Sequence, residues 1–449
     1  MLGGGTVQAM SVPARSPRLR LFDTLAGDKS PFLPRGDEVK LYVCGVTPYD
    51  TSHLGHGFTY AAFDVLVRYL QYLGHRVRYV QNVTDVDDPL FDKAKALGVN
   101  AADLARDQTE SYLRDMKALN VLPAEFYPQA SQEIGRMIEL VQKLLDAGLA
   151  YQAAGHVYFG VGKDPEFGKL SKLDREHMIE LARTRGGDPD DPHRSDPLDF
   201  VLWRPGRDGE PTFDSPWGEG LPGWHIECSA MSLGYLGAPL DIHGGGNDLI
   251  FPHHECEIAQ SEGVCSARPF AKVWMHTGMV HLDGEKMSKS LGNMVFVGDL
   301  VEEHGSDAIR LYLAGCHYRG DLFYDRQALE AAGQLAKRLA ASAGLPGSGR
   351  EDDGFDTQAF RARFEERMSD DLDTPAAIGV LTELSEAIDA FSKSGMFVHA
   401  GQDLLRELGA VLGLRLGDHI ARALIATPAR VWVGCGHGQS RTHNAFSYD

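Results

Sequence analysis

Between residues 39 and 81 the chain runs from a strand-like segment, Val39–Cys44 (VKLYVC), through a Gly/Thr/Pro turn at Gly45–Asp50 and a helical pattern into a second strand, Arg76–Gln81. This succession constrains the fold more than any other feature. From Gly57 to Leu73 the apolar residues Phe58, Ala61, Ala62, Val65, Leu66, Tyr69, Leu70 and Leu73 recur at helical spacing, and Gly74 supplies a stop. Two strands joined by a helix pair parallel, because a crossover of that length carries the chain back to the end of the sheet where the first strand began. A parallel sheet in turn needs helices on its faces. The predicted class is α/β.

Beyond this unit a helical stretch reaches about Leu149, with Met137, Leu140, Val141, Leu144 and Leu145 on one stripe. Residues 151–206 are loop-rich, with short strand signals and a polar run at Arg183–Asp199, and read as an insertion that splits the sheet domain. Sheet signals return at Leu240–His243 and Lys272–Val280, and from about Asp299 the chain is mostly helical to Leu416. The resulting division is a flexible leader (1–17), a first sheet half (18–118), an insert (119–212) and a second half (213–297). Helices (298–343), a Gly/Pro-rich linker (344–356), a C-terminal helical domain (357–427) and an unassigned tail (428–449) follow.

Composition narrows the class of function. Lys+Arg 44 against Asp+Glu 63 gives a net charge of −19, which disfavours tight nonspecific nucleic-acid binding. No apolar run approaches the roughly 18 residues of a membrane helix, so no membrane association is predicted. Six scattered cysteines suit a reducing compartment or a metal. A cytoplasmic globular enzyme or binding protein, monomer or homodimer, is expected.

Three clusters carry chemistry. His53-Leu-Gly-His56 opens the first helix, where free N–H groups and the positive dipole end suit a triphosphate. Gly55 between the histidines would let a nucleotide ring approach the backbone. Lys286-Met-Ser-Lys289-Ser290 places two lysines among small residues on a loop able to close over phosphates and neutralise a departing pyrophosphate. Either motif alone is also compatible with a bland polar turn. Between them, Leu240-Asp-Ile-His-Gly-Gly-Gly-Asn-Asp248 offers three glycines after a strand for close ligand approach.

Cys44, Cys228, His253 and Glu257 form a plausible zinc set of two thiolates, an imidazole and a carboxylate. His253 and Glu257, four apart behind Pro252, share one helix face. Spacing leaves open that either cysteine is an ordinary core residue. A zinc able to take one more ligand would bind a substrate thiolate and reject a hydroxyl, giving cysteine selectivity without editing.

The segments YVCGVTPYD, HLGHGFTYAAFD, YVQNVTDVDD, DPLDFVLW, GWHIECSAMS, DIHGGGNDLIFPHHECEIAQSE and KMSKSLGN resemble the cysteinyl-tRNA synthetase family over residues 18–416. The resemblance implies a class I aminoacyl-tRNA synthetase Rossmann-type catalytic domain, split by an insertion and followed by a C-terminal helical domain. It implies one Zn²⁺ on Cys44, Cys228, His253 and Glu257, with Mg-ATP and L-cysteine as substrates. His53, His56, Lys286 and Lys289 would stabilise the charge of adenylate formation. Gly45, Thr47, Asn82, Thr84 and Trp224 would line the amino-acid pocket. Thr59, Gly246, Asn247, Asp248 and Val280 would contact the cysteinyl-adenylate.

Within the family, Thr47-Pro-Tyr-Asp50, the HLGH form of the first motif, Val83-Thr-Asp-Val-Asp-Asp-Pro-Leu-Phe91 and Arg185-Gly-Gly-Asp-Pro189 resemble a second branch. Its members, the mycothiol-pathway ligases, join cysteine to the amine of glucosaminyl-inositol instead of tRNA. Thr184 stands where that branch usually has Glu before the RGGDP run. Glu257 and DPLDFVLW are instead synthetase-like, the ligase branch carrying a smaller residue and a water at the fourth zinc position. The expected activity is ATP-dependent cysteine activation with transfer to glucosaminyl-inositol, tRNA charging or another cysteine-transferring activity being the alternatives. Asp85, Asp87 and Asp88 are acidic neighbours of the site and candidates for the base in amine attack.

Overall fold

The computed structural model describes residues 18–36, 38–50, 52–265, 267–282, 294–346 and 355–417, with residues 285–286 as backbone. Four parallel strands form the central sheet: β1 (Glu38–Val46), β2 (Arg76–Val83), β3 (Leu240–Gly246) and β4 (Ala271–Thr277). Their spatial order is β4-β3-β1-β2. Helix α1 (Leu54–Tyr72) joins β1 to β2, as the periodicity predicts, but starts before Gly57. His53 caps it, the ring Nδ1 accepting the Gly55 N–H at 3.1 Å, so one donor of the first turn is satisfied.

The chain leaves β1 toward β2 and returns on the opposite side of β1 as β3. That reversal opens a crevice at the carboxyl ends of β1 and β3, the place where open α/β sheets bind ligands. Local irregularity shapes the crevice. The β1–β2 register breaks between Val43 and Val46, so Cys44 and Gly45 sit in a bulge. A Cβ on Gly45 would lie 1.6 Å from the Asn82 carbonyl oxygen, and the Gly45 N–H donates to Asn82 Oδ1 at 2.8 Å.

The three glycines 244–246 belong to β3 itself and are not a loop after it. Sequence reading placed the strand's end at His243 because glycine is a poor strand former. Packing overrides that preference: a Cβ on Gly244 would come within 2.3 Å of the Phe63 ring of α1. The glycines let α1 lie directly on the strand backbone.

The segment between β2 and β3 holds helices Asp88–Leu97, Ala101–Ala118 and Ile134–Asp146 and a separate antiparallel sheet. The strands of that sheet are Ala150–Ala153, His156–Phe159, Phe200–Pro205 and Gly220–Pro222. The last of them lies beyond 212, so the inserted sheet runs past the predicted segment. Helix α2 (Trp224–Leu236) leads back to β3, and α3 (Glu255–Val264) connects β3 to β4. One apolar core lies under α1 and the C-terminal helices, and a second under α2, α3 and the inserted sheet.

Downstream, helix α4 (Ser306–Ala314) packs against α1, and helices Thr357–Ser369, Thr374–Lys393 and His399–Val411 follow. Arg310 of α4 is buried and ties these parts together. It donates to Asp64 Oδ2 of α1 at 2.5 Å, to the Leu412 carbonyl at 2.6 Å and to the Leu119 carbonyl at 3.3 Å. Burial alone would raise the Asp64 pKa, but the Arg68 and Arg310 guanidiniums hold it below the usual carboxylate range. Replacing Arg310 by Met strands these acceptors in the core. Arg310→Met should therefore cost roughly 3 kcal/mol, read as a lowered denaturant midpoint, while the conservative Arg310→Lys loses less.

Candidate functional site

The bulge at the end of β1 faces Cys44 into the crevice, where α2 brings Cys228, α3 brings Glu257 and the turn before α3 brings His253. Before α3 the chain makes a wide turn at Ile250–His254 in which Phe251 is extended, so the helical run starts at Pro252. The four groups are fully buried and their ligand atoms lie within 4.8 Å of one another. Cys44 Sγ is 3.7 Å from Cys228 Sγ and 3.5 Å from Glu257 Oε1, and His253 Nε2 is 3.1 Å from the same oxygen. A tetrahedral ion with Zn–S bonds of roughly 2.3 Å separates two sulfurs by about 3.8 Å. The donor set fits zinc both in spacing and in softness.

His243 of β3 and His254 join the cluster and form a second set with Cys44 and Glu257. Sequence reading missed both. His243 sits on a strand inside the glycine motif, and His254 is adjacent to a residue already assigned; only the inward face of β3 and the turn before α3 reveal them. His254 Nε2 lies 3.3 Å from Cys44 Sγ, while its Nδ1 bonds His276 Nε2 at 2.7 Å, and His276 Nδ1 bonds Thr24 Oγ1 at 2.8 Å. Burial first, and neighbouring imidazoles second, keep His254 and His276 neutral, His276 falling to about 3. This chain orients Cys44 as partners of metal ligands commonly do.

Unlike charges face one another within the set. Burial opposes ionisation of Cys228, but hydrogen bonding to Cys44 and the nearby His253 bring its pKa down to about 6. Against burial, His243 and His253 lower Glu257 to about 2, and Cys228 with Glu257 raises His253 to about 10. A metal taken up through His253 Nε2 must displace a proton, so uptake should strengthen as pH rises across the neutral range. Competition with a chromogenic chelator at pH 6, 7 and 8 checks this. Cys228→Ser should bring tightly bound zinc close to zero by elemental analysis.

Around this floor the other predicted residues fall into two walls. On one, Asn82 Nδ2 donates to Thr84 Oγ1 at 3.0 Å, Thr47 Oγ1 donates to Asp87 Oδ2 at 3.1 Å, and the Trp224 ring lies 4.3 Å from that of His253. On the other, His53 and His56 stack at 3.8 Å at the start of α1, and Thr59 Oγ1 is 2.9 Å from Thr277 Oγ1 at the end of β4. A Cβ on Gly55 would meet the His53 ring at 2.9 Å, so the imidazole, and not open space, covers that glycine. Gly246 ends β3, and Asn247 and Asp248 form the turn beyond it. The Arg185 guanidinium holds this turn, donating to the carbonyls of Asp248, at 2.5 Å, and Phe251.

Val280 is buried at the start of a short strand, Val280–Leu282, which pairs with the backbone of Glu285–Lys286. Lys289 lies outside the described residues. Of the three acidic neighbours, Asp85 is taken by Ser131 (2.5 Å to the hydroxyl) and Asp88 by Arg204 (2.5 Å). Asp87 faces Thr47, and its carboxyl is pushed up to about 6, chiefly by burial.

Comparison with known proteins bears on this geometry. The family described as tRNA synthetases class I (C) catalytic domain matches residues 33–334, and the DALR domain matches 363–417. A cysteine–tRNA ligase of Dehalococcoides mccartyi is 44% identical over 400 residues, 89% of this chain and 86% of that protein. An L-cysteine:1D-myo-inositol 2-amino-2-deoxy-alpha-D-glucopyranoside ligase of Mycobacterium marinum is 45% identical over 409 residues, 90% of this chain and 97% of that protein. Among solved structures, the Mycobacterium tuberculosis methionyl-tRNA synthetase in complex with methionyl-adenylate superposes with a TM-score of 0.60 at 19% identity, covering 84% of this chain and 90% of that one. That likeness supports the fold alone.

Proposed function

We propose that this chain, which belongs to the class I (C) tRNA synthetase family, activates L-cysteine with ATP and transfers the cysteinyl group to the amine of glucosaminyl-inositol in the cytoplasm. The observation that carries the cysteine assignment is the buried Cys44, Cys228, His253 and Glu257 set at the sheet's switch point, beside the start of α1. Zinc held there supplies a Lewis-acidic centre that prefers a thiolate to a hydroxyl.

The residues of the chain divide the work. Thr47, Thr84 and Trp224 shape the amino-acid pocket, and the bulge at Gly45 leaves room for the substrate backbone. The cysteine carboxylate is already a nucleophile; it forms a bond to the α-phosphorus of ATP as the bond to pyrophosphate breaks. Alignment and charge stabilisation account for most of such a step. His53, His56 and the N-terminus of α1 supply donors to the phosphates, and Lys286 and Lys289 meet the departing pyrophosphate. Gly246, Asn247, Asp248, Thr59 and Val280 hold the adenylate. In the second step the neutral acceptor amine bonds the carbonyl carbon as the carbon–oxygen bond to phosphate breaks; AMP leaves and the nitrogen's surplus proton passes to solvent.

For the acceptor, the RGGDP run supports the aminosugar. Through Arg185 it is fastened to the turn that follows Gly246, so it lies where a small acceptor reaches the adenylate. The relative from Mycobacterium marinum that is named for that reaction aligns over nearly its whole length. A second reading, tRNA charging, is favoured by Glu257, which occupies the fourth position of the metal set, and by the Dehalococcoides relative.

Incubating the protein with zinc, Mg-ATP and labelled cysteine, with glucosaminyl-inositol and tRNA offered in parallel, separates the two. Cysteinyl-aminosugar with uncharged tRNA is the expected outcome; charged tRNA alone establishes the second reading. Lys289→Ala should lower cysteine-dependent ATP–pyrophosphate exchange by about 10²-fold, the scale of losing one charge-stabilising group, and leave zinc content unchanged.

A further inference from the structure

The wall between Trp224 and Cys228 carries a buried carboxylate with no role in the steps above. Glu227 lies on α2, and residues 224, 227 and 228 share one face of that helix, which packs against β1 and β2. Its side chain is fully buried, no cation pairs with it among the described residues, and the Thr84 hydroxyl is the one side chain placed to donate to it.

The neighbours do not supply a counter-charge. The Thr84 hydroxyl lies beside Glu227, while Asp85 and Asp87 add further negative charge. The Arg204 guanidinium, near Asp88, is taken by that residue and by Glu210 at 2.5 and 2.7 Å. Burying a carboxylate without a counter-charge is costly, and a ligand that brings a cation to it removes that cost.

The substrate has such a group. With its sulfur at Cys44 and Cys228 and its carboxylate toward the start of α1, the third arm of a cysteine molecule is left for the remaining wall. Resting on the assignment of cysteine as the substrate, we propose that Glu227 accepts the α-ammonium group. It thereby makes the site selective for α-amino thiols over thiols of the same length that lack the amine. Thr47 and Thr84 complete the acceptor ring: the Thr47 hydroxyl donates to Asp87 and keeps a lone pair, and Thr84 Oγ1, which accepts from Asn82, keeps another.

The test compares L-cysteine with 3-mercaptopropionate, which differs by the amine. Both are titrated calorimetrically into the zinc-loaded full chain as wild type, Glu227→Gln and Glu227→Asp. The wild type should bind cysteine roughly tenfold to a hundredfold more tightly than 3-mercaptopropionate, the range of a charge-assisted bond. Glu227→Gln should lose that preference by weakening cysteine alone, and Glu227→Asp should retain part of it, zinc content staying at the wild-type level. Equal binding of the two thiols by the wild type overturns the inference, as does a Glu227→Gln protein that weakens both equally or neither. If Glu227→Gln fails to fold, the wild-type comparison decides. A wild type that binds neither thiol overturns the cysteine assignment and this inference together, an outcome distinct from all the others.

Discussion

The backbone contact between Gly45 and Asn82 is the constraint from which the rest of the site follows. At the end of β1 two strands must stay hydrogen-bonded while one of them turns a thiol into the crevice. The bulge achieves this only because residue 45 has no side chain: any Cβ there would overlap the Asn82 carbonyl. The same Asn82 accepts from the Gly45 N–H through its Oδ1 and donates to Thr84 through its NH₂, so the bulge beside Cys44 and the Thr84 wall form one hydrogen-bonded unit. Moving Cys44 by one residue would turn its thiol to the other face of the sheet.

On this unit the charges separate. Carboxyl and thiol groups gather at the floor and along the α2 wall, with His253 as the cation among them. The opposite side, where α1 begins, offers imidazoles and free backbone donors. An amino acid with a thiol, an ammonium and a carboxylate would fit such a division, its soft and positive ends toward the floor and the α2 wall and its carboxylate toward the donors at the start of α1. Arg310 links this arrangement to the helical half of the protein, because its partner Asp64 lies on the same helix that His53 caps.

Much of the fold was legible from residues 39–81, where helical periodicity flanked by two apolar runs leaves a parallel pair as the physical solution. The glycine run after His243 was harder. Propensity argues against a strand, and only the Phe63 ring pressed on its backbone explains why the strand continues. At the site, cysteine and histidine identities suggested a metal, yet 184 residues separate Cys44 from Cys228 and no local spacing joins them. His243, His254 and Glu227 stayed hidden for the same reason: each is ordinary in its local segment and acquires meaning only from what packs against it.

By itself the sequence determined the α/β class, the helix opened by HLGH and the kinds of ligand atom available, because periodicity and side-chain chemistry are local properties. Only the tertiary structure decided that β3 lies on the far side of β1, that two thiols stand 3.7 Å apart, and that Glu227 is buried without a counter-charge among the described residues. Those are consequences of long-range packing. Strand order and burial depend on which surfaces exclude water together, and residues far apart along the chain settle that jointly.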